Sequence, residues 1–201
     1  MRIAIVILAA GASSRMGYPK QLLKLGDSSL IRHAISVSQS TSAAGVYVVL
    51  GANYEVLVTE IANENVTVIP NVNWQKGLGA SIATAAQYML GCNGHDIDGI
   101  LYVLADQPLV TSAYLNKMIT HFIGVNRAII ASQYRDGKFG VPVLFHRDFL
   151  EELSVLHGDE GAKHLLNRYK CGLHTITPDF DNIDVDTPAD FKTVSKYFHK
   201  Q

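Results

Sequence analysis

The feature that most constrains this chain is a rhythm. Short runs rich in Val and Ile recur at residues 3–8, 46–50, 66–69, 99–104, 128–131 and 141–145. Most lack the alternation of a half-exposed strand, so both faces of each should be covered. Helical patterns lie between them. Leu30, Ala34 and Val37 share a face, with Ser28 or Ser29 as cap. Val56, Glu60 and Ile61 mark a second helix, residues 82–90 a third and 115–122 a fourth. Strand and helix alternating at this spacing predict an α/β fold, a doubly wound, mostly parallel sheet with helices on both faces. After about residue 141 the pattern changes. Asp159 is placed to cap a helix from 160 to about 169. Thr187-Pro188-Ala189-Asp190 reads as a capping box opening a last helix to about 198. No linker or repeat interrupts the chain, so residues 1–201 are expected to form one domain.

Composition narrows the function. Hydrophobic residues make up 48% of the chain and charged residues 17%, a balance that suits a buried core and argues against disorder. A formal net charge of −1 offers no basic field for nucleic acid. The first apolar run is far short of the ~20 residues needed to span a bilayer. It enters a charged, glycine-punctuated loop rather than a cleavage site, so it reads as a buried strand and not as a leader or membrane anchor. Cys92 and Cys171 are too few for a disulfide framework or a zinc site, and point to reduced thiols in the cytoplasm. His146, His157 and His174 lack the spacing of metal ligands.

In doubly wound sheets, ligands bind beyond the carboxyl ends of the strands. Three segments qualify: 10–20, 70–81 and 105–108. In the first, Leu8-Ala9-Ala10-Gly11-Ala12-Ser13-Ser14-Arg15-Met16-Gly17-Tyr18-Pro19-Lys20, small residues let backbone N–H groups approach an anion. Arg15 and Lys20 add two positive charges, which suits a triphosphate. The loop is not a Walker A motif, because Tyr18-Pro19 follows Gly17. Nor is it a dinucleotide fingerprint, because Ser13 stands where the second glycine is needed. That, with no acidic residue at a strand end near position 30, disfavours an oxidoreductase. In the third segment, Asp106 ends a buried strand at the ligand edge and is the best metal ligand in the chain, since magnesium takes hard oxygen donors.

The residues from Leu8 to Gly11, Arg15-Met16-Gly17 and Pro19-Lys20 resemble the signature of nucleotidyltransferases with a glycosyltransferase-A-like α/β fold. That group includes sugar-phosphate nucleotidyltransferases and the molybdenum cofactor guanylyl- and cytidylyltransferases. Ala105-Asp106-Gln107-Pro108 resembles its metal-binding segment, and Asp186-Thr187-Pro188 its second aspartate motif. Asn71-x-x-Trp74-x-x-Gly77-Leu78-Gly79-x-Ser81 resembles the cytidylyltransferase branch, as do the segments 139–145 and 156–163, expected to border the acceptor.

The resemblance implies a Mg²⁺-dependent transfer of CMP from CTP to the phosphate of molybdopterin cofactor, with release of pyrophosphate. It implies nucleotide contacts from Leu8, Ala9, Ala10, Gly11, Lys20, Gly77, Gly79 and Ser81. Lys20 would stabilise the phosphates, Arg15 the leaving end, and Asp106 with Asp186 the metal. Asp186 is favoured over Asp184, which alternation would put on the same side of an extended segment. An acceptor phosphate is already anionic, so no general base is needed, and positioning and charge neutralisation carry the reaction. Rivals share these motifs: a GTP-dependent guanylyltransferase, a CTP-dependent sugar- or polyol-phosphate cytidylyltransferase, and a non-enzymatic chaperone delivering cofactor to a molybdoenzyme.

Overall fold

The computed structural model describes residues 1–91, 96–125 and 128–198; Cys92 lies outside them. In chain order the elements are β1 (Ile3–Leu8), β2 (Lys24–Leu25), β3 (Ser28–Ser29), α1 (Leu30–Gln39), β4 (Gly45–Leu50), α2 (Tyr54–Glu60), β5 (Thr67–Pro70), α3 (Leu78–Leu90), β6 (Gly99–Leu104), α4 (Ser112–Ile123), β7 (Ile129–Gln133), β8 (Phe139–His146), α5 (Leu150–Ser154), α6 (Lys163–Arg168), β9 (Leu173–Ile176) and α7 (Pro188–Phe198). Seven strands form one sheet in the order β5-β4-β1-β6-β8-β7-β9. All run parallel except β8, which is antiparallel to both β6 and β7. The order steps outward from β1 on both sides, which leaves a crevice at the carboxyl ends of β1 and β6.

The apolar runs make strands because both faces of the sheet are covered. Ile3, Ile5 and Ile7 of β1 face one core with Ile31 and Ile35 of α1, Leu57 of α2, and Met118 and Phe122 of α4. Ala4, Val6 and Leu8 face the other, with Ile82, Ala85 and Met89 of α3, Leu150 and Leu153 of α5, and Leu165 and Leu166 of α6. Two cores back to back are the doubly wound arrangement expected from the rhythm. Among the described residues, no helix is long and apolar enough to cross a membrane.

Several local expectations are corrected. Helix α3 begins at Leu78 rather than residue 82, so Ser81 lies inside it. Asp159 caps nothing: the helix that follows starts at Lys163, with Ala162 at its N-cap. Glycines at 158 and 161, both with positive φ, keep residues 157–161 as loop. Strand β9, and the small hairpin β2–β3 within the region after the first loop, carry no strong apolar run. By contrast, Ser29 does cap α1, accepting from the Arg32 N–H. Asp190 closes the capping box of α7, accepting from the Thr187 N–H at 2.8 Å and its hydroxyl at 2.7 Å.

Candidate active site

A cleft of about 560 Å³ opens at the crevice. Residues 8–15, Lys20, Trp74, Gln75, Gly77, Leu78, Ser81, Ala105, Asp106, Asp159 and Asp186 line it. All three loops predicted to reach the ligand edge are therefore brought together, joined by two segments from the last quarter of the chain.

The first loop is held open by a residue that sequence reasoning passed over. Gln21 is 3% exposed. Its Nε2 donates to the carbonyls of Ala9 at 3.0 Å and Gly11 at 2.9 Å. Its Oε1 accepts from the Ser13 hydroxyl at 3.2 Å. Ser13, with φ at 57°, in turn accepts from the Lys20 N–H at 3.1 Å. One buried amide thus holds two backbone carbonyls and one hydroxyl of the turn and, through Ser13, ties it to Lys20. The adjacent Pro19-Lys20 pair drew attention to charge, whereas the spacing of Gln21 to the loop carried no recognisable signal.

Lys20 is the centre of the cleft's electrostatics. Its Nζ lies 2.5 Å from Asp106 Oδ2 and 2.7 Å from Asp186 Oδ1. Arg15 is at the mouth, 3.6 Å from Asp186 Oδ2. The second carboxylate arrives because the Val185 N–H donates to the Asp106 carbonyl at 2.9 Å and the Val185 side chain is fully buried. Burial works against the Lys20 charge, but Asp106 and Asp186 outweigh it and hold its pKa above the usual lysine value. Asp106 is also raised, chiefly by burial and further by Asp184 and Asp186, against the pull of Lys20. The Asp106 shift thus comes mainly from burial, and the upward Lys20 shift from its two carboxylate partners.

Asp106 Oδ1 is buried without a hydrogen-bond partner among the described residues. A buried carboxylate oxygen left without a donor is costly, and a hard cation relieves the orphaned oxygen. Asp106 and Asp186 therefore offer a pair of carboxylates to a divalent cation, although among the described residues no group of three or more His, Cys, Asp or Glu side chains could hold a metal. Asp184 does not share the side of Asp186. The Asp186 N–H donates to the Asp184 carbonyl, which bends the segment, so strand alternation fails there. Asp184 instead accepts from Gln107 Nε2 at 2.8 Å.

The loop after β5 departs most from expectation. Gly77 and Gly79 do allow close approach, but of the protein's own loop. The Gly77 N–H donates to the Trp74 carbonyl, the Gly79 N–H to the Gly158 carbonyl at 2.8 Å, and the Gly158 N–H to the Lys76 carbonyl at 2.9 Å. A Cβ on Gly79 would fall 2.6 Å from the His157 carbonyl group. Gly79 is thus packed beneath residues 157–158, while Gly77 reaches the cleft wall. Ser81 also lines the cleft, its hydroxyl accepting from Asn71 Nδ2 at 3.0 Å.

Beside this cleft lies a second of about 580 Å³, sharing Leu78, Leu104 and Asp159 with the first. Phe139, Gly140, Val141, Glu160 and Lys163 line it, from the two segments expected near an acceptor, together with Tyr134, Phe180 and Asp184. None of the three noted histidines enters either cleft: His146 packs on Phe122, His174 meets His121 edge-on, and His157 is exposed.

Comparison with known proteins identifies the family and the fold. Residues 5–173 match the family model described as "MobA-like NTP transferase domain". The chain is 28% identical over 200 residues to nicotine blue oxidoreductase of Paenarthrobacter nicotinovorans, covering 96% of this chain and 93% of that one. It is 29% identical to the bifunctional protein GlmU of Clostridioides difficile over 61% of this chain, but that match takes in only 26% of the GlmU length. Among solved structures, Rv0371c of Mycobacterium tuberculosis H37Rv superposes with a TM-score of 0.83 at 30% identity over 97% of each chain. A structure of that protein in complex with manganese gives a TM-score of 0.80 at 27% identity, over 98% of this chain and 99% of that one.

Proposed function

Because the chain belongs to the MobA-like NTP transferase family, and is a nucleotidyltransferase, we propose that it transfers CMP from CTP to the phosphate of molybdopterin cofactor in the cytoplasm. The observation that carries the reading is Lys20, held between Asp106 and Asp186 at the carboxyl edge of β1 and β6. A lysine set among carboxylates, with an orphaned carboxylate oxygen beside it, suits a triphosphate that arrives with a divalent metal. The first loop supplies small residues against which phosphates pack closely. Preference for CTP rests on the resemblance of Leu8-Ala9-Ala10-Gly11 and Gly77-Leu78-Gly79 to the cytidylyltransferase branch.

In the proposed reaction an oxygen of the acceptor phosphate bonds to the α-phosphorus of CTP. The bond from the α-phosphorus to its bridging oxygen breaks, and pyrophosphate leaves with the electron pair. Lys20 steadies the charge that builds on the phosphate oxygens, and Arg15 holds the departing end. Asp106 and Asp186 would hold Mg²⁺, supported by the manganese complex of Rv0371c; when bound it supplies Lewis-acid neutralisation of the phosphates. No residue need remove a proton, because the acceptor is already anionic. The second cleft, with Phe139, Phe180 and Tyr134, offers aromatic faces to a flat acceptor ring.

A redox reading takes support from the name of the Paenarthrobacter relative. One experiment separates the two. Pyrophosphate release is measured from CTP, GTP, ATP and UTP with Mg²⁺ and molybdenum cofactor, for wild type and Asp106→Ala. Release with CTP alone, lost in the variant, is expected. Release with GTP alone moves the assignment to the guanylyl branch. Absence of release with every nucleotide, together with turnover of a nicotinamide cofactor, overturns the transfer reading.

A further inference from the structure

We propose that Asp159 binds the ribose hydroxyls of the nucleotide and so makes the cleft selective for ribonucleotides. The inference rests on nucleotidyl transfer at this site, but not on which base is used. Asp159 is one of three residues common to the two clefts, and the other two, Leu78 and Leu104, are apolar. It is therefore the charged group on the border between nucleotide and acceptor. The parts of a nucleoside triphosphate nearest an acceptor are the α-phosphate and the ribose to which it is joined. A carboxylate repels the first and accepts hydrogen bonds from the hydroxyls of the second.

The carboxylate is free for that task. Asp159 forms no hydrogen bond or ion pair among the described residues, and its side chain is exposed to the clefts. Its backbone, in contrast, is fixed. The reciprocal bonds between residues 76–79 and Gly158 dock the loop on the start of α3. Asp159 Oδ1 would lie only 2.4 Å from a Cβ on Gly77, so the carboxylate rests directly on that glycine. An unpaired acid held in place at a shared border, on a loop shaped by Gly158 and Gly161, has the construction of a recognition group. The loop's close approach, rather than contact with a base, is what requires glycine at positions 77 and 79.

The test compares CTP with 2′,3′-dideoxy-CTP, which lacks both hydroxyls. Trp74, the single tryptophan of the sequence, lines the same cleft, so its fluorescence reads binding without turnover. Wild type should bind CTP at least about tenfold more tightly, the scale of hydrogen bonds to a charged group. Asp159→Ala should bring the ratio to within about threefold through loss of CTP affinity alone, and Asp159→Asn should fall between. Thermal unfolding of each variant checks that the loop still folds. Equal binding of both nucleotides by wild type overturns the proposal. So does a variant that weakens both alike, which would mark a purely structural role, or one that changes only the acceptor KM. If another triphosphate proves to be the substrate, the same contrast is read with it and its dideoxy analogue. If no triphosphate binds, the transfer reading itself falls.

Discussion

Replacing Gln21 by leucine tests whether one buried amide builds the phosphate loop. Leucine has nearly the same size but offers neither donor nor acceptor. Three hydrogen bonds vanish, to the carbonyls of Ala9 and Gly11 and from the Ser13 hydroxyl. Their consequences differ. Ala9 is 3% exposed, so its carbonyl is stranded, at a cost of about 1–3 kcal/mol. Gly11 is exposed and Ser13 half-buried, so water takes over, and each lost bond costs nearer ~0.5 kcal/mol. The added apolar surface recovers about 1 kcal/mol. The net loss is roughly 2 kcal/mol, which lowers Tm by about 4–8 °C in a chain of this size. Gln21→Glu should be worse at neutral pH, because it turns a buried carboxylate toward two carbonyls. Urea unfolding measures the stability, and Trp74 fluorescence measures nucleotide affinity, which should weaken about tenfold as the turn loosens. A leucine variant within about 0.5 kcal/mol of wild type, with unchanged affinity, would refute the argument that Gln21 organises the loop.

Lys20→Ala should lower kcat by at least about a hundredfold, since it removes the cation that faces the phosphates; a twofold loss would take Lys20 out of the chemistry. CTP should raise Tm modestly alone and more with Mg²⁺, and equal shifts with and without the metal would count against a metal-bridged complex. His33 donates from Nε2 to the Pro108 carbonyl at 2.9 Å. Burial lowers its pKa below the ordinary value of about 6.5, with that hydrogen bond opposing. Its neutral form is the folded one, so its stabilisation is complete above about pH 6.5 and is lost as pH falls through the depressed folded value. His33→Gln should therefore flatten the pH dependence of stability just below pH 6.5, and an unchanged slope would remove His33 as its source.

The sheet was legible because buried parallel strands need continuous apolar runs, and β1, β4 and β6 have them. The reversal of β8 was not: its run looks like the others, since strand direction leaves no mark on composition. Asp106 could be found from its place at a strand end. The neighbouring aspartates could not be told apart by period-two reasoning, because the Asp186 N–H turns back to the Asp184 carbonyl and bends the segment. Gly77 and Gly79 could be recognised as places of close approach, but not what approaches. The answer lies some eighty residues away in Gly158 and Asp159, a long-range contact that no local pattern encodes. Gln21 was missed for the same reason that it matters, since its partners are backbone carbonyls, which look alike in every sequence.

The tether from Val185 to Asp106 has a consequence in time. Protein synthesis runs from the N-terminus, and the loop carrying Lys20 is made long before the segment carrying Asp186. Until that segment leaves the ribosome and Val185 docks, Lys20 faces Asp106 alone. The set of charged groups around Lys20 is incomplete at that stage. Asp186 also lies beyond residue 173, where the family match ends. The ionic centre is thus closed by a segment made 166 residues after Lys20.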